Sequence, residues 1–453
     1  MSLVPPSPRQ RTVRTGGPAG RALPTPPRQV PLAEPAAPKA APFSPLSLGF
    51  MIVGGLALGA LVLAATLGRH ESTAVAAMAC AVAFIVAQRR ITIVAVALIP
   101  VAASSASTQA TLPVTMLASV LALAAATLFC VGRLRFRPAH LWLAVLGGMA
   151  LLGYFYPAEP LAASDQRLPI LIAVLAGLVV VGVFVAEPPT AGVVLRVITI
   201  TGAVAGVLAS IQGQALEGRL EGLGTNPNGL AVYLAAPVVI SVGLALHRRN
   251  PLWLAPGAAC LPALLATQSR EGFLAAVAGA AFLLLQGRPR RVQVLITIAA
   301  AAVVALPGHL TALASLGAGS RPAAELASDN QVRLQVAWFA AHTALTHPLL
   351  GIGLGQFPDY AAASNGLGVY IATTNQYLQL AAEGGLLSLA ALLALLWLAV
   401  SKRRAGELAI VRAVVVTFVV AMFFIDSFES ALVALPFWAC LGVLLAKGEI
   451  ADG

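Results

Sequence analysis

Long apolar runs alternate with short polar connections along most of the chain. Each run is near the ~20 residues that an α-helix needs to cross ~30 Å of hydrocarbon. The pattern predicts an all-α, polytopic integral membrane protein with about fourteen transmembrane helices. The predicted helices cover residues 47-68, 73-88, 91-110, 113-131, 139-156, 167-186, 190-213, 229-246, 251-268, 271-286, 292-306, 376-400, 408-425 and 429-446.

Two long regions lack this pattern. Residues 1-45 are rich in Pro, Arg and Ala and have no apolar periodicity, so we expect a disordered cytoplasmic tail. Residues 307-375 form a long loop, within which 329-346 has the pattern of a helix. The predicted organisation is a tail over 1-45, transmembrane helices 1 to 11 over 46-306, an extracytoplasmic loop over 307-375, transmembrane helices 12 to 14 over 376-446 and a second tail over 447-453.

Composition supports a membrane protein and excludes two other classes. With 59% hydrophobic and 10% charged residues, the chain has more apolar surface than a soluble protein could bury. Its formal charge of +11 would suit a nucleic-acid partner if the basic residues formed one patch. They instead follow alternate apolar segments, as the positive-inside rule describes, which predicts a cytoplasmic (plasma) membrane protein with both termini cytoplasmic and no nucleic-acid partner. The clusters are Arg89–Arg90, Arg133–Arg137, Arg248–Arg249, Arg288–Arg291 and Lys402–Arg404.

The sequence offers no metal or disulfide framework. All four cysteines lie inside apolar runs without paired spacing, which is typical of small buried side chains. No predicted outer loop carries a close carboxylate pair of the kind that holds Mg²⁺ or Mn²⁺. The Gly-rich run Gly351–Gly355 follows a proline and lacks the strand and helix of a dinucleotide site, so tight turns explain it better.

Arginine is rare on the predicted outer side, and three of the arginines there have unusual settings. Arg219 precedes the turn Asn226-Pro227-Asn228, Arg270 follows Ser269 between two apolar helices, and Arg333 lies on the predicted helix of the long loop. They could be interfacial side chains, with Arg270 neutralised by Glu271 and Arg333 by Asp329. Three arginines that converge on one pocket would instead suit a phosphate or pyrophosphate, because the guanidinium fork binds phosphate oxygens bidentately.

The ordered set of motifs from about residue 200 to 400 resembles the O-antigen ligase and O-antigen polymerase superfamily of bacterial membrane glycosyltransferases. The set contains Arg219 with the Asn226-Pro227-Asn228 loop, Ser269-Arg270, Arg333 with Trp338, THPLLGIGLGQF from Thr346, and then Asn375, Tyr377, Leu378, Glu383 and Gly384. Each motif is common alone, and their order in a polytopic chain gives the resemblance its weight.

The resemblance implies a GT-C-like enzyme that takes a saccharide from an undecaprenyl pyrophosphate carrier at the outer leaflet. It would join that saccharide to a glycan or glycolipid acceptor in cell-surface polysaccharide biosynthesis, without a nucleotide sugar, metal or other cofactor. Ligase and polymerase differ in the acceptor. The ligase branch usually has His before the Asn of the helix after the loop, whereas this chain has Thr374, which favours a polymerase.

Site roles follow from the resemblance and from side-chain chemistry. We expect Arg270 and Arg333 to stabilise the leaving pyrophosphate and Glu383 to be a candidate base. Glu383 could instead hydrogen-bond a neighbouring helix, and His347 needs no catalytic role. The predicted substrate-binding residues are Arg219, Asn226, Asn228, Ser269, Thr374, Asn375, Tyr377 and His347.

Two other classes of function remain open from the sequence. A transporter or flippase of lipid-linked saccharides, or of another anionic substrate, could also use arginines on the outer face. Transporters usually place such groups near the midplane, however, whereas the polar residues here gather on one side. A structural membrane protein would leave the ordered motifs unexplained.

Overall fold

The computed structural model describes residues 137–157, 167–186, 188–216, 218–223, 225–286, 323–363, 367–428 and 431–448, all of which belong to one compact unit. The described helices are α1 (Pro138–Phe155), α2 (Arg167–Ala186), α3 (Ala191–Gln212), α4 (Pro227–Arg248), α5 (Leu254–Ala266), α6 (Arg270–Leu284), α7 (Ala323–Thr346), α8 (Phe357–Ala363), α9 (Gln376–Val400), α10 (Glu407–Ala421) and α11 (Ala431–Gly448). A 3₁₀ turn at Pro251–Trp253 precedes α5, and two short strands, β1 (Gln214–Leu216) and β2 (Arg219–Glu221), lie between α3 and α4.

The mostly helical architecture predicted from the apolar runs is confirmed. The helices predicted at 167-186 and 376-400 have those bounds in the structure. By length and composition, four described helices could cross a membrane, at Pro138–Phe155, Ala191–Ile211, Pro227–Arg248 and Gln376–Val400. The count of fourteen stays a prediction, because the N-terminal tail and the helices predicted at 47-68, 73-88, 91-110, 113-131 and 292-306 lie outside the described residues.

Among the described residues, the basic side chains predicted to be cytoplasmic lie at one end of the helices, which we call the basic end. Arg137 Nη1 donates to the carbonyl of Ala446 at 3.0 Å, so α1 begins where α11 ends. Arg248 at the end of α4 pairs with Glu407 at the start of α10, with 2.7 Å between Nη2 and Oε1. The α3, α6 and α9 helices run between this end and the opposite end, where Arg219, Arg270 and Asn375 lie. We call the latter the site end.

Helix α4 is the central element of the bundle. Within its most apolar stretch of 18 residues, 72% of the residues are buried inside the protein. Close contacts with small residues allow neighbouring helices to approach it: a Cβ on Gly272 of α6 would lie 2.4 Å from Ala231 Cβ. Small residues at helix interfaces are typical of membrane proteins, because close backbone approach maximises van der Waals contact where lipid supplies no hydrophobic drive. The start of α6 is thereby fixed against α4.

A second close contact joins α2 to α11. Trp438 of α11 is fully buried and packs against Phe428 and Phe437, with ring centroids 4.9 Å apart in each pair. Gly177 of α2 lies against its indole, where an added Cβ would come within 2.2 Å of Trp438 Cδ1. The absence of a side chain at Gly177 therefore decides how closely α2 and α11 pack.

We expect Gly177→Ala to destabilise the protein, because the methyl group must displace a large indole from a filled site, at a cost of about 1–3 kcal/mol. Gly182→Ala on the same helix is the matched control, since no atom of the described residues lies within 4 Å of a Cβ there. The measurement is the transition temperature at which heated samples in detergent lose their monodisperse peak in size-exclusion chromatography. Equal transition temperatures for the two variants would contradict this account of the α2–α11 contact.

A candidate active site at one end of the helices

Arg219 is held by a small hairpin that the apolar pattern did not predict. Strands β1 and β2 pair antiparallel, with Gln214 opposite Glu221 and Leu216 opposite Arg219. Gly218 in the turn has φ 75°, a left-handed conformation that glycine adopts without steric cost. The hairpin therefore presents Arg219 towards the turn between α5 and α6.

The hairpin docks on that turn through two contacts. Arg219 Nε donates to the carbonyl of Thr267 at 3.0 Å, and Gln268 Nε2 donates to the carbonyl of Gly218 at 3.3 Å. Arg219 Nη2 also donates to Asn228 Oδ1 in the first turn of α4. The predicted binding residues Arg219 and Asn228 are thus in direct contact.

Asn226 and Ser269 begin the two helices that meet at the site. Asn226 Oδ1 accepts from the backbone N–H of Gly229 at 2.8 Å and caps α4, with Pro227 as the first helical residue. Ser269 Oγ caps α6 by accepting from the backbone N–H of Gly272 at 3.3 Å. Both residues therefore satisfy backbone donors that a helix start would otherwise leave unpaired.

Glu271 connects the turn to α7. Its Oε2 accepts from Ser269 Oγ at 3.0 Å, and its Oε1 pairs with Arg333 Nη1. The side chain of Glu271 is 11% exposed, whereas that of Arg333 is 32% exposed. The alternative in which Glu271 neutralises Arg270 is therefore wrong: Glu271 pairs with Arg333, which lies 62 residues further along the chain.

The turn from Thr267 to Glu271 thus gathers the three predicted arginines. Arg219 contacts its backbone, Arg270 belongs to it, and Arg333 reaches it through Glu271. Arg270 is half-buried at the first residue of α6, and no residue in the described ranges hydrogen-bonds or pairs with it. A cation at the positive end of a helix lacks the stabilisation that an anion would have there, so this position favours a bound anion.

A second polar element, the loop that follows α7, lies against a break in α9. Gly385 has φ 76° and ψ 170°, which interrupts the helical hydrogen bonds of α9. The freed carbonyls of Ala382 and Glu383 accept from the backbone N–H groups of Ile352 and Gly353 at 2.8 and 3.0 Å. The loop therefore pairs with the middle of a candidate membrane span, where water is scarce and backbone groups need protein partners.

The structure places Glu383 and His347 at this loop. Glu383 is 3% exposed, and its Oε1 accepts from the backbone N–H of Phe357 at 3.1 Å. His347 Nδ1 lies 3.1 Å from Thr346 Oγ1, and its ring meets the Tyr360 ring edge-on. These contacts hold the loop and the start of α8.

Asn375 and Tyr377 attach the start of α9 to the end of α10. Asn375 Oδ1 caps α9 by accepting from the N–H groups of Tyr377 and Leu378 at 3.0 and 3.1 Å. Its Nδ2 donates to the carbonyl of Phe423 at 3.2 Å, and the Tyr377 hydroxyl donates to the carbonyl of Val419 at 2.9 Å. Thr374 is half-buried beside them, with no hydrogen bond from its hydroxyl to any described residue.

Two contributors at the site end were not predicted as site residues. Glu271 was considered only as a local counter-ion, although its position two residues after a helix cap was visible in the sequence. Arg167 fixes the loop to the end of α1, because its Nε donates to the carbonyl of Leu354 at 3.1 Å and its Nη2 to that of Tyr154 at 2.7 Å. In the described ranges no group of three or more His, Cys, Asp or Glu side chains could hold a metal ion.

Comparison with known proteins finds a family match over the region that contains most of this site. A search of curated proteins found no match to the chain. Residues 255–393 match the family model described as O-antigen ligase. That range runs from α5 into α9 and includes Ser269, Arg270, Arg333 and Asn375, while Arg219 lies outside it. The resemblance seen in the sequence is confirmed over this range, which is similar to the O-antigen ligase family.

Proposed function

We propose that the protein is a membrane glycosyltransferase that polymerises or ligates undecaprenyl-pyrophosphate-linked saccharides at the outer face of the cytoplasmic membrane. The family match supports the coarser role, a glycosyltransferase-like membrane protein of polysaccharide biosynthesis. The observation that carries the specific proposal is the gathering of Arg219, Arg270 and Arg333 around one turn at the site end.

The substrate class follows from this charge arrangement. Guanidinium groups stay charged at all physiological pH values and bind phosphate oxygens through parallel N–H donors. Three of them at the end of an apolar helical bundle match a ligand with a diphosphate head and a hydrocarbon tail. A saccharide linked through that diphosphate would lie beyond the arginines, towards the aqueous side.

The proposed chemistry needs little from the protein beyond this site. An acceptor hydroxyl attacks the anomeric carbon, the bond from that carbon to the diphosphate oxygen breaks, and its electron pair stays on the diphosphate. Arg219, Arg270 and Arg333 stabilise the charge that develops there, which is the type of preorganised electrostatic help that can dominate catalysis. The hydroxyl proton passes to a base or to water.

Roles for the remaining candidates follow from their contacts. Asn226, Asn228 and Ser269 hold the helix starts and Arg219, and Asn375 and Tyr377 fix α9 on α10. Thr374 lies beside Asn375 and Tyr377, and its hydroxyl could position an acceptor. We propose that His347 supports the loop that follows α7. The contact of buried Glu383 with Phe357 favours a role in holding the loop over the predicted role as base.

A transfer assay tests the proposed function against transport. The purified protein in lipid nanodiscs receives an undecaprenyl-pyrophosphate-linked oligosaccharide pool from its host, and glycan size and carrier release are followed. A ladder of longer glycans indicates a polymerase, and a single transfer to a second lipid indicates a ligase. If no glycosidic bond forms, while the protein in vesicles moves the lipid across the bilayer, the glycosyltransferase proposal is wrong and transport replaces it.

Arg270→Ala and Arg333→Ala should each reduce the rate of transfer by about 100-fold or more, because each removes a positive charge that stabilises the leaving diphosphate. The control is Arg403→Ala, since Arg403 is exposed and belongs to the basic end of the helices. Chromatographic profiles in detergent report whether each variant is folded. Near-normal transfer by a folded Arg270→Ala variant would remove Arg270 from the site.

Glu383→Gln should retain most of the transfer activity, because the amide oxygen can still accept from the N–H of Phe357. Glu383→Ala should lose both folding stability and transfer, since it leaves a buried donor unpaired, at a cost of about 1–3 kcal/mol. The two variants separate hydrogen bonding from basicity. Loss of transfer in a folded and stable Glu383→Gln variant would support the carboxylate as the base instead.

A further inference from the structure

We infer that Glu271 is a positioning residue of the transferase: it fixes the guanidinium of Arg333 for the diphosphate and reduces the positive charge that the diphosphate meets. This inference rests on the proposed function and deepens it. The family resemblance gave Glu271 no role, and the pairing joins two segments far apart in the sequence.

The Glu271 carboxylate is itself rigidly held. Its Oε2 accepts from Ser269 Oγ, and the same hydroxyl oxygen caps α6 by accepting from Gly272 N–H. The backbone at Gly272 packs against Ala231 of the central helix α4. The carboxylate therefore has a fixed position relative to the turn that carries Arg270.

The pair leaves most of the Arg333 guanidinium available. Arginine has five N–H donors in a rigid plane, and one nitrogen, Nη1, contacts Glu271. Within the described part of the chain Arg333 has no other partner, and its side chain is nearly three times as exposed as that of Glu271, at 32% against 11%. One edge of the guanidinium is thus anchored in the protein, while the other donors can bind phosphate oxygens.

This placement makes Glu271 unsuited to be the base. In a displacement at the anomeric carbon, the attacking hydroxyl and the leaving diphosphate lie on opposite faces of that carbon. A carboxylate that anchors a ligand of the diphosphate lies on the leaving-group side. Both of its oxygens already accept hydrogen bonds, one of them from a cation.

The negative charge has a second consequence. A carboxylate beside the diphosphate site weakens diphosphate binding, and weaker binding helps the product carrier to leave after transfer. Glu271→Gln removes the charge and keeps an oxygen that Arg333 can donate to. Glu271→Ala removes the charge and the anchor together. The two substitutions should therefore change the kinetics in different ways.

The test measures kcat, KM for the lipid-linked donor, and inhibition by inorganic pyrophosphate. For Glu271→Gln we expect pyrophosphate to inhibit about fivefold more strongly, the effect of one unit charge a few ångströms away in a water-like medium, with kcat less affected. For Glu271→Ala we expect kcat to fall about 100-fold, because Arg333 loses its orientation. The matched control is Glu407→Gln, which alters another Arg–Glu pair at the basic end of the helices.

Unchanged kcat and unchanged pyrophosphate inhibition in both Glu271 variants would overturn the inference. Equal loss of all activity in both, with normal folding and no change in pyrophosphate binding measured by calorimetry, would also overturn it, since a positioning role requires the two to differ. If the unmodified protein forms no glycosidic bond, the proposed function fails instead. Calorimetric pyrophosphate binding to the unmodified and Glu271→Gln proteins would then still report whether Glu271 opposes anion binding.

Discussion

The partly buried contact between Glu271 and Arg333 is the interaction on which the site end depends. Charged groups at the edge of a membrane domain are costly unless they are paired or hydrated. Glu271 is nearly buried, so Arg333 must accompany it, and α7 is thereby fixed to the start of α6. The hairpin that carries Arg219 contacts the same turn through Thr267. The five residues of this turn therefore fix the positions of two segments that are distant in the sequence.

The second constraint comes from backbone hydrogen bonds in the loop after α7. Where α9 is interrupted at Gly385, carbonyls lose their helical partners and must find others inside the protein. The loop supplies them, and its own N–H groups are satisfied in exchange. An added Cβ at Gly385 would lie 2.2 Å from the carbonyl oxygen of Leu349, so glycine is required there for both conformation and space. The helix break and the loop therefore depend on each other.

The sequence could predict the elements whose cause is local. Apolar length fixes where a helix can span a membrane, so α2 and α9 have their predicted bounds. Strands β1 and β2 have three residues each, too few to show a period, and were missed. The pairing of Glu271 was missed for another reason: adjacent residues on a helix, such as Arg270 and Glu271, point in different directions, and only the fold could bring Arg333 to the carboxylate.

The arrangement also explains how three arginines can be gathered at one turn. Like charges at short range repel, and the positive end of α6 adds to that repulsion at Arg270. The protein offsets part of this cost: Glu271 neutralises Arg333, while Asn228 and the carbonyl of Thr267 accept from Arg219. Arg270 is left with no partner in the described ranges. An anion at this turn would therefore gain most from Arg270, since binding there relieves a repulsion that the folded protein has otherwise left in place.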